Sequence, residues 1–114
     1  MQYDIVLVGN DMSVIQNVLL EEIQRLERNI KSYQEMLFKL PRGSIFIRKI
    51  GNSSFAYRKR KEGKKVISEY LGNIKSNHAL NEIAASKEYK RINSNLSIAK
   101  KELEKLRKAY KAYD

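Results

Sequence analysis

Apolar residues recur along two long stretches of the chain at alternating steps of four and three. In the first they are Leu19, Ile23, Leu26, Ile30, Tyr33, Leu37 and Leu40. That spacing keeps one stripe of a helix apolar for three heptads. Glu21, Glu22, Arg25, Glu27, Arg28, Lys31 and Glu35 fall between them as a solvated face. Asp11 or Ser13 can cap the start, Ser13 with Gln16 has capping-box spacing, and Pro41 and Gly43 end the pattern. This predicts a first helix over 11–40. The second stretch runs Ala85, Tyr89, Ile92, Leu96, Ala99, Leu103, Leu106, Tyr110 and Tyr113, with Ser76 or Asn77 as cap, and predicts a second helix over 76–113. Two such stripes in one short chain bury each other best as an antiparallel coiled-coil hairpin. Pairing between two chains satisfies them equally, which leaves a homodimer open.

Between the helices the period changes. Ser44–Ile50, Phe55–Arg60 and Lys65–Leu71 are short runs rich in β-branched and aromatic residues, separated by Gly51-Asn52-Ser53 and Lys61-Glu62-Gly63-Lys64 and ended by Gly72-Asn73. They predict a three-stranded antiparallel meander over 44–72. Phe55 and Tyr57 share one face, as do Val66 and Tyr70. The expectation is that these faces cover the open end of the helical hairpin and that Arg58 and Arg60 look out from the other. Ile5-Val6-Leu7-Val8 reads as a strand, which makes 1–10 an N-terminal strand available for pairing across a dimer, a leader, or a segment packed against the base of the hairpin. The predicted class is α+β, mostly α, in a single domain of 114 residues.

Charge sharpens the picture more than composition does. Residues 1–40 carry a net charge of −2, residues 41–75 of +8 and residues 76–114 of +4. The excess sits on the meander, where it attracts polyanions or acidic protein faces. Arg58-Lys59-Arg60-Lys61-Glu62-Gly63-Lys64-Lys65 holds six basic residues in eight, and Arg42, Arg48 and Lys49 enlarge the patch. A basic hairpin can follow a phosphate backbone or enter the major groove as a two-stranded ribbon. Tyr57 and Tyr70 can stack on bases if they face outward. The plain alternative is a solvated cluster that protects sheet edges from aggregation. Lys100, Lys101, Lys105, Arg107, Lys108 and Lys111 on the second helix read instead as a flank with pairs such as Glu104–Lys108.

The same residues exclude several classes of function. The chain has no Cys and one His, His78, so no metal site is expected. No nucleophile, paired acid or glycine-rich phosphate loop is placed in a recognisable motif, so neither an enzyme nor a cofactor is expected. No run reaches the roughly 20 apolar residues of a membrane span, and no positive region precedes the first apolar run. A cytoplasmic protein of a bacterial host cell is the expectation.

Leu40-Pro41-Arg42-Gly43-Ser44-Ile45, Arg48-Lys49-Ile50, Phe55-Ala56-Tyr57, Arg60-Lys61-Glu62-Gly63-Lys64-Lys65 and Tyr70-Leu71-Gly72 together resemble a pattern of small uncharacterised basic helix–β-meander–helix proteins of Gram-positive bacteria, their phages and mobile elements. A similar β segment occurs beside some Fic-type proteins and near the start of some transposases. The resemblance covers roughly residues 15–110 and brings no catalytic residues. It implies a binding role: direct binding of DNA or RNA, or action on a nucleic-acid-handling protein, as an anti-CRISPR protein blocks a host nuclease. Phe46 or Phe55 would be the apolar anchor for such a partner.

Overall fold

The structure, a computed structural model, describes residues 7–113, with side chains from Val14 onward. Helix α1 spans Leu7–Phe38, strands β1, β2 and β3 span Ser44–Ile50, Ser53–Glu62 and Lys65–Asn73, and helix α2 spans Asn77–Lys111. The expected helix–β-meander–helix order and α+β class are therefore correct. The chain divides into two compact units. One joins the residues up to Gln34 with those from Ser94 onward, and the other is Glu35–Asn93.

In the first unit the two helices run antiparallel. Gln16 Nε2 donates to the Tyr113 carbonyl at 2.8 Å, and Arg107 pairs with Glu27 at 2.7 Å. Ile23, Leu26, Ala99 and Leu103 are buried, with Ile30, Tyr33, Leu106 and Tyr110 packed around them. All eight belong to the two predicted stripes. The helix backbones keep their Cα atoms more than 8 Å apart almost throughout, so the seam is made by the longer side chains rather than by close backbone approach.

The N-terminal expectations need correction. α1 already includes Leu7 and Val8, so these two residues are helical, not extended. Ile5 and Val6 lie outside the described residues. A run of four apolar residues fits a buried strand and a helix equally well, and here the helix reaches back to Leu7. Asp11 and Ser13 consequently sit inside α1 rather than capping it, and Gln16 bonds across to Tyr113 instead of closing a capping box. At its other end α1 tightens through bonds from the Lys39 and Leu40 amides to the Met36 and Leu37 carbonyls. It stops before Pro41, whose ring disfavours helical geometry in the residue ahead of it.

The second unit is built on the sheet, ordered β1-β2-β3 and antiparallel throughout. Two-residue turns join the strands, Ile50 facing Ser53 and Glu62 facing Lys65. Gly51 and Gly63 take the first turn position, both with φ of +63°, where a left-handed backbone matches the strand twist. The second strand is longer than expected, so Lys61 and Glu62 are paired strand residues rather than turn. After β3, the Asn73 side chain accepts from the Lys75 amide at 2.9 Å. Ser76 Oγ then accepts from the Ala79 amide at 3.2 Å. Of the two candidates, Ser76 is thus the N-cap of α2.

Removing apolar volume from the helical seam tests this packing. Leu103, 7% exposed, is expected to cost about 2–4 kcal/mol as Leu103→Ala. Val14, 58% exposed, is expected to cost under about 0.5 kcal/mol as Val14→Ala. Urea unfolding of both variants checks the contrast, and equal losses would contradict the placement of the seam.

Candidate nucleic-acid interface

The two faces of the sheet have opposite chemistry. Ile45, Ala56, Arg58, Glu69 and Leu71 point to one side, where the N-terminal half of α2 packs. Ala56 and Ala79 are fully buried and Leu71 is 3% exposed, with Ile45, Ile74 and Ile83 around them. The register shifts between Ala56 and Tyr57, which pair with Gly72 and Tyr70, so Leu71 is the extra residue of a β-bulge.

Arg58 lies in this closed face. Its side chain is 7% exposed, and it pairs with Glu82 of α2 at 2.5 Å and with Glu69, its cross-strand neighbour, at 3.3 Å. Taking a guanidinium out of water is costly unless charge and hydrogen bonds compensate, and the two carboxylates supply both. The expectation that Arg58 looks outward is thereby overturned. Strand alternation continues up to the turn, and Glu69 and Glu82, the carboxylates that pair with Arg58, stand on that side. Arg60 is half-buried and shares Glu69 at 3.8 Å and Glu62 at 3.3 Å. Its charge too is largely answered from within.

The opposite face carries the aromatic residues, and nothing from α2 in this unit covers it. Phe46, Tyr57 and Tyr70 are direct partners across the three strands. Phe46 and Tyr57 stack with centroids 5.2 Å apart and planes 15° from parallel, and Tyr70 meets Tyr57 at 5.4 Å in a tilted contact. Phe55 lies 6.2 Å from Tyr70. Tyr70, at the end of the row, is 58% exposed. The expectation that these aromatic faces close over the helices is therefore reversed: the small residues face the helix and the rings face out. Two cations reach back over the row, Arg48 to 5.4 Å from the Tyr57 ring and Lys59 to 5.4 Å from the Phe46 ring.

Arg48, Lys59 and Lys61 stand on the open face and Lys64 in the turn, while Lys49 and Lys65, exposed at the sheet's ends, alternate to the Arg58 side. Among the described residues none of these six has a carboxylate within 4 Å. Arg42 joins Lys59, Arg60 and Lys61 around a shallow groove of about 510 Å³, where β2 runs past the start of β1. Of the ten residues expected to bind, then, all but Arg58 and Arg60 keep charge or ring surface free. The aromatic row itself was only half foreseen: Phe46 and Phe55 belong with Tyr57 and Tyr70, and strand alternation alone links them.

Four cations on the helices, Arg25, Arg91, Arg107 and Lys108, are ion-paired among the described residues. Lys108 pairs with Glu104 at 3.3 Å, as the i,i+4 spacing suggests. Hydrogen bonds from Arg25 hold the Glu22 carboxyl below its usual range, and Glu22 in turn raises the Arg25 guanidinium. Arg91 lowers Glu88 in the same way. His78 lies exposed in the first turn of α2. Among the described residues, no group of three or more His, Asp or Glu side chains is placed to hold a metal ion, and no helix is long and apolar enough to cross a membrane.

Fold and site together define a helix–β-meander–helix protein with one closed, ion-paired sheet face and one open, cationic and aromatic face. The chain belongs to the family described as a domain of unknown function (DUF6788), which matches residues 11–76 and so takes in most of α1 and the whole sheet. No curated protein and no solved structure matches it.

Removing one carboxylate at a time tests the closed face. Glu82→Ala leaves Arg58 buried beside one solvated partner and is expected to cost about 3 kcal/mol. Glu69, 45% exposed, is expected to cost under about 1 kcal/mol as Glu69→Ala. Denaturant midpoints measure both, and a Glu82→Ala loss no larger than that of Glu69→Ala would contradict the anchor.

Proposed function

We propose that the protein is a non-enzymatic nucleic-acid-binding protein that holds the phosphate backbone with the cations around its open sheet face. The observation that carries this is the sorting of charge. Arg58 and Arg60 are matched by Glu69, Glu82 and Glu62, whereas Arg48, Lys49, Lys59, Lys61, Lys64 and Lys65 are not. A structural or edge-protecting role accounts for scattered lysines. It does not account for cations gathered around a row of half-buried aromatic rings that ends in the exposed Tyr70. The resemblance of residues 40–72 to proteins of phages and mobile elements suits this role, with the bacterial cytoplasm as its setting.

A second reading is an inhibitor or regulator that binds a nucleic-acid-handling protein, such as an anti-CRISPR protein acting on a host nuclease. Exposed apolar residues near β1 favour it: Phe38 at 84%, Ile47 at 50% and Ile50 at 56%. These could anchor a protein partner. A stoichiometric protein partner that survives nuclease treatment of the lysate would favour this reading over the first.

Direct binding is tested by fluorescence anisotropy with a labelled oligonucleotide across a salt series. Affinity is expected to fall steeply with salt, by a log–log slope of roughly 0.7–0.9 per phosphate contacted. The reversal Lys59→Glu, Lys61→Glu, Lys64→Glu avoids the buried Arg58, and is expected to weaken low-salt binding by about 100-fold or more. Unchanged affinity in the folded triple variant would sink the proposal.

A further inference from the structure

We infer that the open face takes single-stranded nucleic acid, with unpaired bases on the aromatic row that ends at Tyr70. This rests on the nucleic-acid reading above and names the form of nucleic acid that the same face accepts. Inside a duplex the faces of the bases are spent on one another, so exposed rings have little to stack on. Unpaired bases present those faces, and stacking on aromatic side chains is indifferent to sequence.

The geometry of the sheet separates the two forms. The major groove admits a two-stranded ribbon, yet Phe46, Tyr57 and Tyr70 lie side by side across all three strands. Only the tip of the β2–β3 hairpin is two-stranded. It runs from the Arg60–Ile67 pair to the Glu62–Lys65 pair and has no aromatic residue. A strand laid across the open face meets Arg48 on one side of the row and Lys59 on the other, both already seated over rings. Each can turn from its ring to a phosphate as a base takes its place. Charge complementarity and the exposed ring of Tyr70, at the end of a half-buried row, thus select the same occupant.

The test compares labelled oligonucleotides of about 15 nucleotides: single-stranded DNA, single-stranded RNA, and the DNA strand annealed to its complement, all at one salt concentration. Both single strands are expected to bind about tenfold or more tightly than the duplex. Tyr70→Ala is expected to weaken single-strand binding about tenfold and leave duplex binding unchanged, with Tyr70→Phe restoring it. Tyr70 is exposed, so the variant should fold, and far-ultraviolet circular dichroism verifies this. Binding of the duplex as tightly as the single strands, or a folded Tyr70→Ala that binds single strands normally, overturns the inference. If the duplex binds at least as well and the lysine reversal abolishes that binding, the nucleic-acid reading survives while the single-strand inference fails. If no probe binds, both fall.

Discussion

The buried guanidinium of Arg58 is the constraint on which the sheet's organisation depends. A charge that deep tolerates only one environment, carboxylates on its own side of the sheet. Glu69 meets it from β3 and Glu82 from α2, so one side chain ties β2 to both neighbouring elements. The β-strand period then leaves no freedom elsewhere. With Ala56 and Arg58 turned toward the helix, Phe55, Tyr57, Lys59 and Lys61 must face away. A one-residue slip would drive Tyr57 into a contact that Ala79 makes tight and would expose the ion pair to water. Exposed rings and lysines thus follow from the packing on the other side.

Sequence periodicity revealed the helices well and the sheet faces poorly, for a physical reason. Helical burial depends on a stripe, and the stripe from Leu19 to Leu37 and from Ala85 to Tyr113 is apolar at each step whatever the partner. In the meander both faces hold plausible core residues. Choosing Phe55 and Tyr57 as the inward pair followed the general tendency of large aromatics to be buried. The core instead took Ala56 and Leu71, which share the side of the sheet that buries Arg58 and packs against Ala79. The missing signal was in view: Arg58 faces Glu69 in the hairpin register, and Glu82 falls in the second turn of α2. No periodicity scan weighs a charge against its partner 24 residues away. The leading apolar run failed differently, since four residues are too few to distinguish a strand from a helix.

The closed and open faces divide the work. One spends its basic residues on holding the fold, so Arg58 and most of Arg60 contribute nothing to an external field. The other leaves its cations without ion pairs among the described residues, beside the aromatic row. Over Arg58–Lys61 the basic run that looked uniform in sequence is two populations interleaved at a period of two. The family match, residues 11–76, contains the whole of the open face, while Glu82, which anchors the closed face from α2, lies beyond it.

The face opposite Arg58 is the proposed working surface. Backbone amide shifts followed by NMR during titration with a single-stranded oligonucleotide test it most directly. Perturbations concentrated at Phe46, Arg48, Tyr57, Lys59 and Tyr70, with Ala79–Ile83 of α2 undisturbed, are the predicted result. Perturbations centred on α2 and the Arg58 side, with the aromatic row unaffected, would contradict it.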